Sequence, residues 1–397
     1  MSKFLFVIPP FWGHINPTLS IGGTLLERVH DVAWAGMTKL NMKLFPLGAK
    51  YFYMEKTESK NKKEIERIIL LQNKGANMPA LEALKLGLED TYIPFARMMI
   101  DEFNEIVEQY KPDVIVNDCI TFVGGLSAQL KNIPFATITP ITPNALNDPQ
   151  SAPKVTEWVH KSIIDLQRFV GIDGDEEFVQ SKLLNMYYTS QLFCGLDNAS
   201  VPPYMKFIGA LTGRPDNTPF DWKKLEAMGD HPKIYISIGT VLVQSRKDFF
   251  SRMIDALKDK PVTVIAAADP NILDEWPENF IVQGYVPQSE LLKHIDVVIG
   301  HGGLNTTCDT FMNGIPMLII PMAFDQSHTA QLIQNYGCGI RIKYSRIRIQ
   351  DIEHAVDELL YNPTYKKAAK EIQQSFIKAG GNKRAAELLE EIITVKQ

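Results

Sequence analysis

Two short stretches of this chain carry residue types that could do chemistry. The first is Gly13-His14-Ile15-Asn16-Pro17, close behind the apolar run Phe4 to Pro10. A neutral imidazole near pH 7 can take the proton from a hydroxyl as its oxygen attacks an electrophile, an effect worth roughly 10²–10⁴ in rate. Asp118 closes a second apolar run that starts at Val114. A carboxylate there could orient the ring and stabilise the imidazolium. Both residues also have plainer readings, His14 as a helix-start residue with a structural hydrogen bond and Asp118 as a cap. The second stretch spans Gly284 to Gln326. In it an apolar strand, VVIG, runs into His301-Gly302-Gly303, an Asn305-Thr306 helix start follows, and the strand MLIIPM closes on Asp325-Gln326. Strand, glycine turn and helix N-terminus together present backbone N–H groups and a positive dipole end to an anion. His301 adds two ring donors and Asn305 and Thr306 add more, so a diphosphate is the natural guest. Asp325 and Gln326 supply the acceptors and donors that sugar hydroxyls need, and the whole pattern points to a nucleotide-sugar site. The alternatives are a tight connection at Gly302-Gly303, a satisfied core histidine at 301 and a simple helix cap at 325–326.

Composition narrows the class. At 397 residues the chain is long for one domain, and two of roughly 200 residues are expected. A net charge of -5 lacks the basic face that nucleic acid requires. Cys119, Cys194, Cys308 and Cys338 are scattered without a C-x-x-C, so neither a zinc site nor a disulfide framework is implied. The N-terminal apolar run is broken by prolines and lacks a signal-peptide cleavage site, and no apolar stretch reaches the roughly 18 residues of a membrane span. The chain therefore reads as cytoplasmic, with no integral membrane segment.

The elements that must position these residues follow from periodicity. FLFVIPP, DVAWAGM, YFYMEK, VIVND and FATITP read as strands of the first half, and KIYISIGT, VTVIAAA, FIVQGYV, VVIGH and MLIIPM as strands of the second, with helices between. Near-continuous apolar strands alternating with helices argue for a doubly wound α/β parallel sheet. The pattern occurs twice. Two Rossmann-like domains, 1–212 and 233–397, are expected to face each other across a cleft, joined by a polar linker at 213–232, with the last helix free to pack back on the first domain. Helix 16–30 carries Pro17 in its first turn, where the missing N–H costs nothing. Gly22-Gly23 would permit close helix–sheet packing. No G-x-G-x-x-G follows a strand, which disfavours a nicotinamide dehydrogenase. Asp173-Gly174-Asp175 follows no apolar strand and reads as a solvated loop.

On these motifs the chain resembles the UDP-glycosyltransferase superfamily of GT-B fold, and within it the bacterial macrolide and natural-product transferases. The resemblance rests on Gly13 to Pro17, Ser237-Ile238-Gly239-Thr240, Tyr285-Val286-Pro287-Gln288, His301 to Thr306, Gly314-Ile315-Pro316 and Asp325-Gln326, and extends from about residue 4 to 390. It departs from the plant pattern at Tyr285, where a tryptophan stacks on uracil, and at Asp309, where a glutamate binds ribose. Both changes keep an aromatic face and a carboxylate. The resemblance implies a donor site of Ser237, Gly239, Thr240, Tyr285, Val286, Gln288, His301, Gly302, Gly303, Asn305, Thr306, Asp309, Asp325 and Gln326, with His14 and Asp118 catalytic.

The mechanism expected is a single inverting displacement. His14 takes the acceptor proton, the acceptor oxygen attacks C1 of an α-linked UDP-sugar, and the helix N-terminus at 305–306 with His301 and Thr240 stabilises the leaving diphosphate. Neither metal nor cofactor is called for, and glucose would give a β-glycoside. The acceptor is expected to be a small lipophilic alcohol or phenol, such as a polyphenol, polyketide, macrolide or terpenoid, held by Phe11, Trp12, Met78, Phe122 and Met186, since methionine-rich surfaces re-pack around varied guests. The protein would act as a monomer or homodimer. The competing readings are a dTDP-deoxysugar transferase, a GT-B isomerase, and a non-enzymatic accessory protein.

Overall fold

The computed structural model describes residues 1–74, 80–143, 153–212, 218–239, 246–322 and 326–394. The strands are β1 (Lys3–Val7), β2 (Asp31–Gly36), β3 (Lys50–Tyr53), β4 (Val114–Asp118), β5 (Phe135–Thr139), β6 (Asn185–Tyr187), β7 (Met205–Phe207), β8 (Lys233–Ser237), β9 (Thr263–Ala267), β10 (Phe280–Gln283), β11 (Val297–Gly300), β12 (Met317–Ile319) and β13 (Gly339–Arg341). In the first half the helices are α1 (Trp12–Glu27), α2 (Glu55–Lys74), α3 (Ala80–Gly87), α4 (Ile93–Tyr110), α5 (Val123–Lys131) and α6 (Pro153–Phe169). In the second they are α7 (Trp222–Ala227), α8 (Arg246–Leu257), α9 (Gln288–Leu291), α10 (Leu304–Met312), α11 (Gln326–Tyr336), α12 (Ile349–Tyr361), α13 (Pro363–Ala379) and α14 (Gly381–Glu391).

The strands form two parallel sheets, ordered β3-β2-β1-β4-β5-β6-β7 and β10-β9-β8-β11-β12-β13. Parallel strands are covered on both faces, and their side chains alternate between two cores. Leu5 and Val7 of β1 face one cluster, with α4 and α5. Phe4 and Phe6 face the other, with α1 and α14. In β8, Ile234 and Ile236 likewise point one way and Tyr235 the other. Strand order reverses between β1 and β4 in the first sheet and between β8 and β11 in the second. The crevice beyond the carboxyl ends of the strands at such a reversal is where open α/β sheets hold ligands.

The two halves interlock. Phe193, from the first half of the chain, packs on Phe311 and Phe376 of the second core, with ring centroids 5.6 and 6.2 Å away. In return α14 buries Ala385, Ala386, Leu388 and Leu389 in the first core, and Glu390 binds Arg28 and His30. Gly209 makes the crossing possible: its φ is +75°, and a Cβ there would sit 2.4 Å from the Phe376 carbonyl oxygen. The stretch 218–232 is more than a polar tether. It holds α7, and its Phe220, Trp222 and Leu225 pack into the second core; residues 213–217 lie outside the described residues.

Helix α1 starts four residues earlier than its sequence pattern indicates, with Phe11 as N-cap and no side-chain cap bond. Pro17 therefore stands inside the helix, beyond the first turn, and its missing N–H leaves the Gly13 carbonyl without its in-helix donor. Gly22 does allow close packing, since a Cβ there would lie 2.2 Å from the Trp34 ring.

Candidate functional site

His14 rises from the first turn of α1, just past β1, and Asp118 is the last residue of β4, the neighbouring strand across the order reversal. The fold brings them together: His14 Nδ1 lies 3.0 and 2.9 Å from the two Asp118 carboxylate oxygens. The carboxylate is fully buried and also accepts from the Ile120 N–H, at 3.0 Å, whereas the histidine side chain is 20% exposed. With Nδ1 donating to the carboxylate, Nε2 carries the lone pair. A base held in this tautomer, reachable by solute and backed by a fixed anion, is what proton abstraction from a hydroxyl requires. The thiol of buried Cys119 lies so near that the ligating atoms of His14, Asp118 and Cys119 all fall within 4.8 Å of one another.

At the reversal of the second sheet, His301 follows β11 and Ser237 ends β8. His301 is buried between two glycines. A Cβ on Gly239, at φ +67°, would stand 2.9 Å from its Cε1, and one on Gly303 would stand 2.7 Å from its Nε2. Burial pushes the imidazole down to about 4, assisted by the charge of Arg246 and opposed by a backbone hydrogen bond to Ser237. The ring is therefore neutral at pH 7 and carries one N–H, not the two donors its type suggests. Among the described residues its Nδ1 has no hydrogen-bond partner. Gly302, at φ +96°, completes the turn against the backbone of Gln326.

Arg246 is the residue that sequence reading missed. It opens α8, its Nη2 donates to the Gly239 carbonyl at 2.9 Å, and its buried Nε has no partner among the described residues. Its charge is felt at His301. A glycine turn followed by a helix start was the only available signal, and it does not single out an arginine nine residues beyond Ser237. Thr240 and Asp325 lie outside the described residues, as does Met78.

The remaining donor candidates line the same edge. Tyr285 exposes 75% of its surface, leaving a ring face open, whereas Val286 packs in the core and has only its backbone to offer a ligand. Gln288 links Tyr235 to Asp309: it accepts from the Tyr235 hydroxyl at 3.2 Å and donates to the Asp309 carboxylate at 2.7 Å. Gln326 is buried, and its Oε1 accepts from the Met322 N–H at 2.9 Å. Thr306 is half-buried in the first turn of α10. Asn305 reaches away from its own domain and donates to the Gly13 carbonyl at 2.6 Å.

Around His14 the apolar candidates divide. Phe11 packs on His14 and Phe95, each with a centroid separation of 6.3 Å, and Trp12 is exposed. Phe122 is buried against Tyr92 and backs this wall. Met186 is corrected outright: it is fully buried on β6 in the core under α1 and α14 and lines no surface. In the centre of a strand covered on both faces, a methionine is simply core.

Comparison with known proteins fits this geometry. Residues 191–376 match the family model of UDP-glucoronosyl and UDP-glucosyl transferases. Along its whole length the chain is 28% identical to the uncharacterized UDP-glucosyltransferase YdhE of Bacillus subtilis, with all of both chains covered. The chain is a glycosyltransferase, and its likeness to the UDP-dependent family lies in residues 191–376. The transferase is also 24% identical to the NDP-glycosyltransferase YjiC of Bacillus subtilis, over 96% of this chain and 95% of that one. Its fold is GT-B. It matches the kitacinnamycin glycosyltransferase with a TM-score of 0.78 and 21% identity over 98% of both chains, and the calicheamicin glycosyltransferase CalG4 with 0.75 and 19%, again over 98% of both. Among the transferase's described residues, no helix is long and apolar enough to cross a membrane.

Proposed function

We propose that this glycosyltransferase moves a hexose, glucose first among them, from a UDP-sugar to a hydroxyl of a small lipophilic acceptor, with inversion and with His14 as general base. The observation that carries the reading is the His14–Asp118 pair, held at the reversal of one sheet while a buried His301, a glycine turn and the N-terminus of α10 occupy the reversal of the other. The acceptor oxygen would give its proton to Nε2 of His14 as it bonds to C1 of the sugar. The C1–O bond to the diphosphate breaks, and the electron pair leaves with UDP. His301 is neutral, so the positive charge facing that leaving group comes from Arg246 and the α10 dipole. This arrangement needs no metal.

Uridine is favoured by the match to the family model of UDP-glucoronosyl and UDP-glucosyl transferases and by the likeness to the UDP-glucosyltransferase YdhE. Tyr285 would stack on the base and Asp309, steadied by Gln288, would accept from ribose hydroxyls. Asp325, next to Gln326 in the sequence, would read the sugar. Phe11 and Trp12 would hold the acceptor beside the base. The test is a screen of UDP-glucose, UDP-galactose and dTDP-glucose against a panel of phenols and lipophilic alcohols, in EDTA, with the anomeric configuration read by NMR. Metal-independent formation of a β-glucoside from UDP-glucose is expected. A clear preference for dTDP-glucose, an α-linked product or a strict need for a divalent cation would overturn the corresponding part.

A further inference from the structure

Pro17 takes one donor out of α1, and the facing domain supplies another. In an unbroken helix the N–H of residue 17 would bond to the carbonyl of residue 13. Proline has no N–H, and its ring crowds that carbonyl and tilts it off the helix axis. Asn305 Nδ2 meets the exposed oxygen at 2.6 Å from across the cleft. The two ends of this bond are informative. Gly13 directly precedes His14, and Asn305 is the second residue of α10, whose N-terminus forms part of the proposed diphosphate subsite. The seam around it is closely packed. Pro17, Tyr188, Leu211, Asn305, Cys308 and Asp309 line a partly open void of about 10 Å³, room for one water at most. One turn along α10, the Cys308 thiol points to the Tyr188 carbonyl at 3.0 Å and pins the same helix to the first domain.

We infer that Asn305 is a positioning residue, a latch through which a donor seated on α10 fixes the first turn of α1 and with it the place of His14. The inference rests on the proposed donor site and goes beyond it, because it moves Asn305 from the donor's contacts to the control of the base. A Cβ on Gly13 would lie 3.7 Å from Asn305 Nδ2, an ordinary contact. What the site demands is therefore the free carbonyl, and Pro17 is the residue that frees it. A partly exposed hydrogen bond of this kind is worth about two- to tenfold in an equilibrium or a rate.

The experiment pairs UDP calorimetry with hydrogen exchange of the amides from Asn16 to Ile21 in α1. In the wild type, UDP binds the second domain and slows exchange in this segment of the first. In Asn305→Ala, UDP binds within about threefold of the wild type. The protection of α1 is lost, however, and kcat with UDP-glucose and 2-chloro-4-nitrophenol falls about two- to tenfold while KM for UDP-glucose barely moves. Pro17→Ala reaches the same state from the other side. It restores an in-helix donor to the Gly13 carbonyl, draws that oxygen back toward the axis, and removes the protection, and adding Asn305→Ala to it changes nothing more. Protection that survives in either variant overturns the latch. So does UDP affinity that falls in Asn305→Ala as far as kcat does, which would make Asn305 a donor ligand. A wild type that binds no UDP defeats the donor reading itself, a failure distinct from binding without protection.

Discussion

His301 brings no charge to the pocket in which it sits. Its ring is buried, its pKa is pushed down to about 4, and the nearby cation is Arg246. The folded value lies below the unfolded one of about 6.5, so between these two pH values the unfolded chain binds more protons than the folded one. The stability tied to a neutral His301 is thus complete above about pH 6.5 and is lost as the pH falls toward 4, a change on the order of 3 kcal/mol. Urea unfolding of the wild type and of His301→Gln across this window should show a shallower pH dependence in the variant; parallel curves would mean that the histidine titrates normally. Arg246→Gln should weaken UDP binding by about 1.5–3 kcal/mol, the usual cost of a lost hydrogen bond to a charged group. Calorimetry reads this directly, and unchanged affinity would remove Arg246 from the donor site.

At the scale of elements, the loop from β11 to α10 is shaped by the absence of side chains. Gly303 has an ordinary φ of -61°, so Gly303→Ala is not strained in its backbone, yet its Cβ would lie 2.7 Å from the His301 ring, which Gly239 hems in on the other side. Overpacking of this kind costs about 1–3 kcal/mol. The variant should lose UDP affinity and melt earlier, and an unchanged melting temperature would show that the ring has room to move. The long apolar strands β1, β4, β8 and β11 were legible in the sequence because residues buried on both faces leave an apolar run, and their C-terminal ends marked where His14, Asp118 and His301 would stand. Among the described residues, three strands were not legible. Strands β6, β7 and β13 are three residues long, too short to show a period, and only pairing with longer neighbours makes them strands. The start of α1 was misread because Phe11 caps without a side-chain bond, so no capping residue announces it. Arg246 and Asn305 owe their positions to contacts made by the fold, the latter across 292 residues of sequence, which no local pattern contains.

Over the whole molecule, each domain core is completed by the other half of the chain. Leu389 of α14 is fully buried in the first core although its sequence lies at the end of the second domain. Leu389→Ala should cost about 2–5 kcal/mol, and calorimetric melting should show the two domains losing their single joint transition. Two separate transitions already present in the wild type would contradict this mutual completion. The interlock matters because the proposed base and the proposed donor turn stand on different sheets and must be held at bonding distance of one substrate pair. The most direct test of that arrangement is single-turnover glucosyl transfer by His14→Ala, measured with a neutral alcohol acceptor and with an already ionised nitrophenolate, beside UDP calorimetry. If His14 is the base, transfer to the alcohol falls by at least about 10²-fold, the ionised acceptor loses far less, and UDP affinity stays within about threefold. An equal loss with both acceptors, or wild-type turnover with the alcohol, would contradict the account.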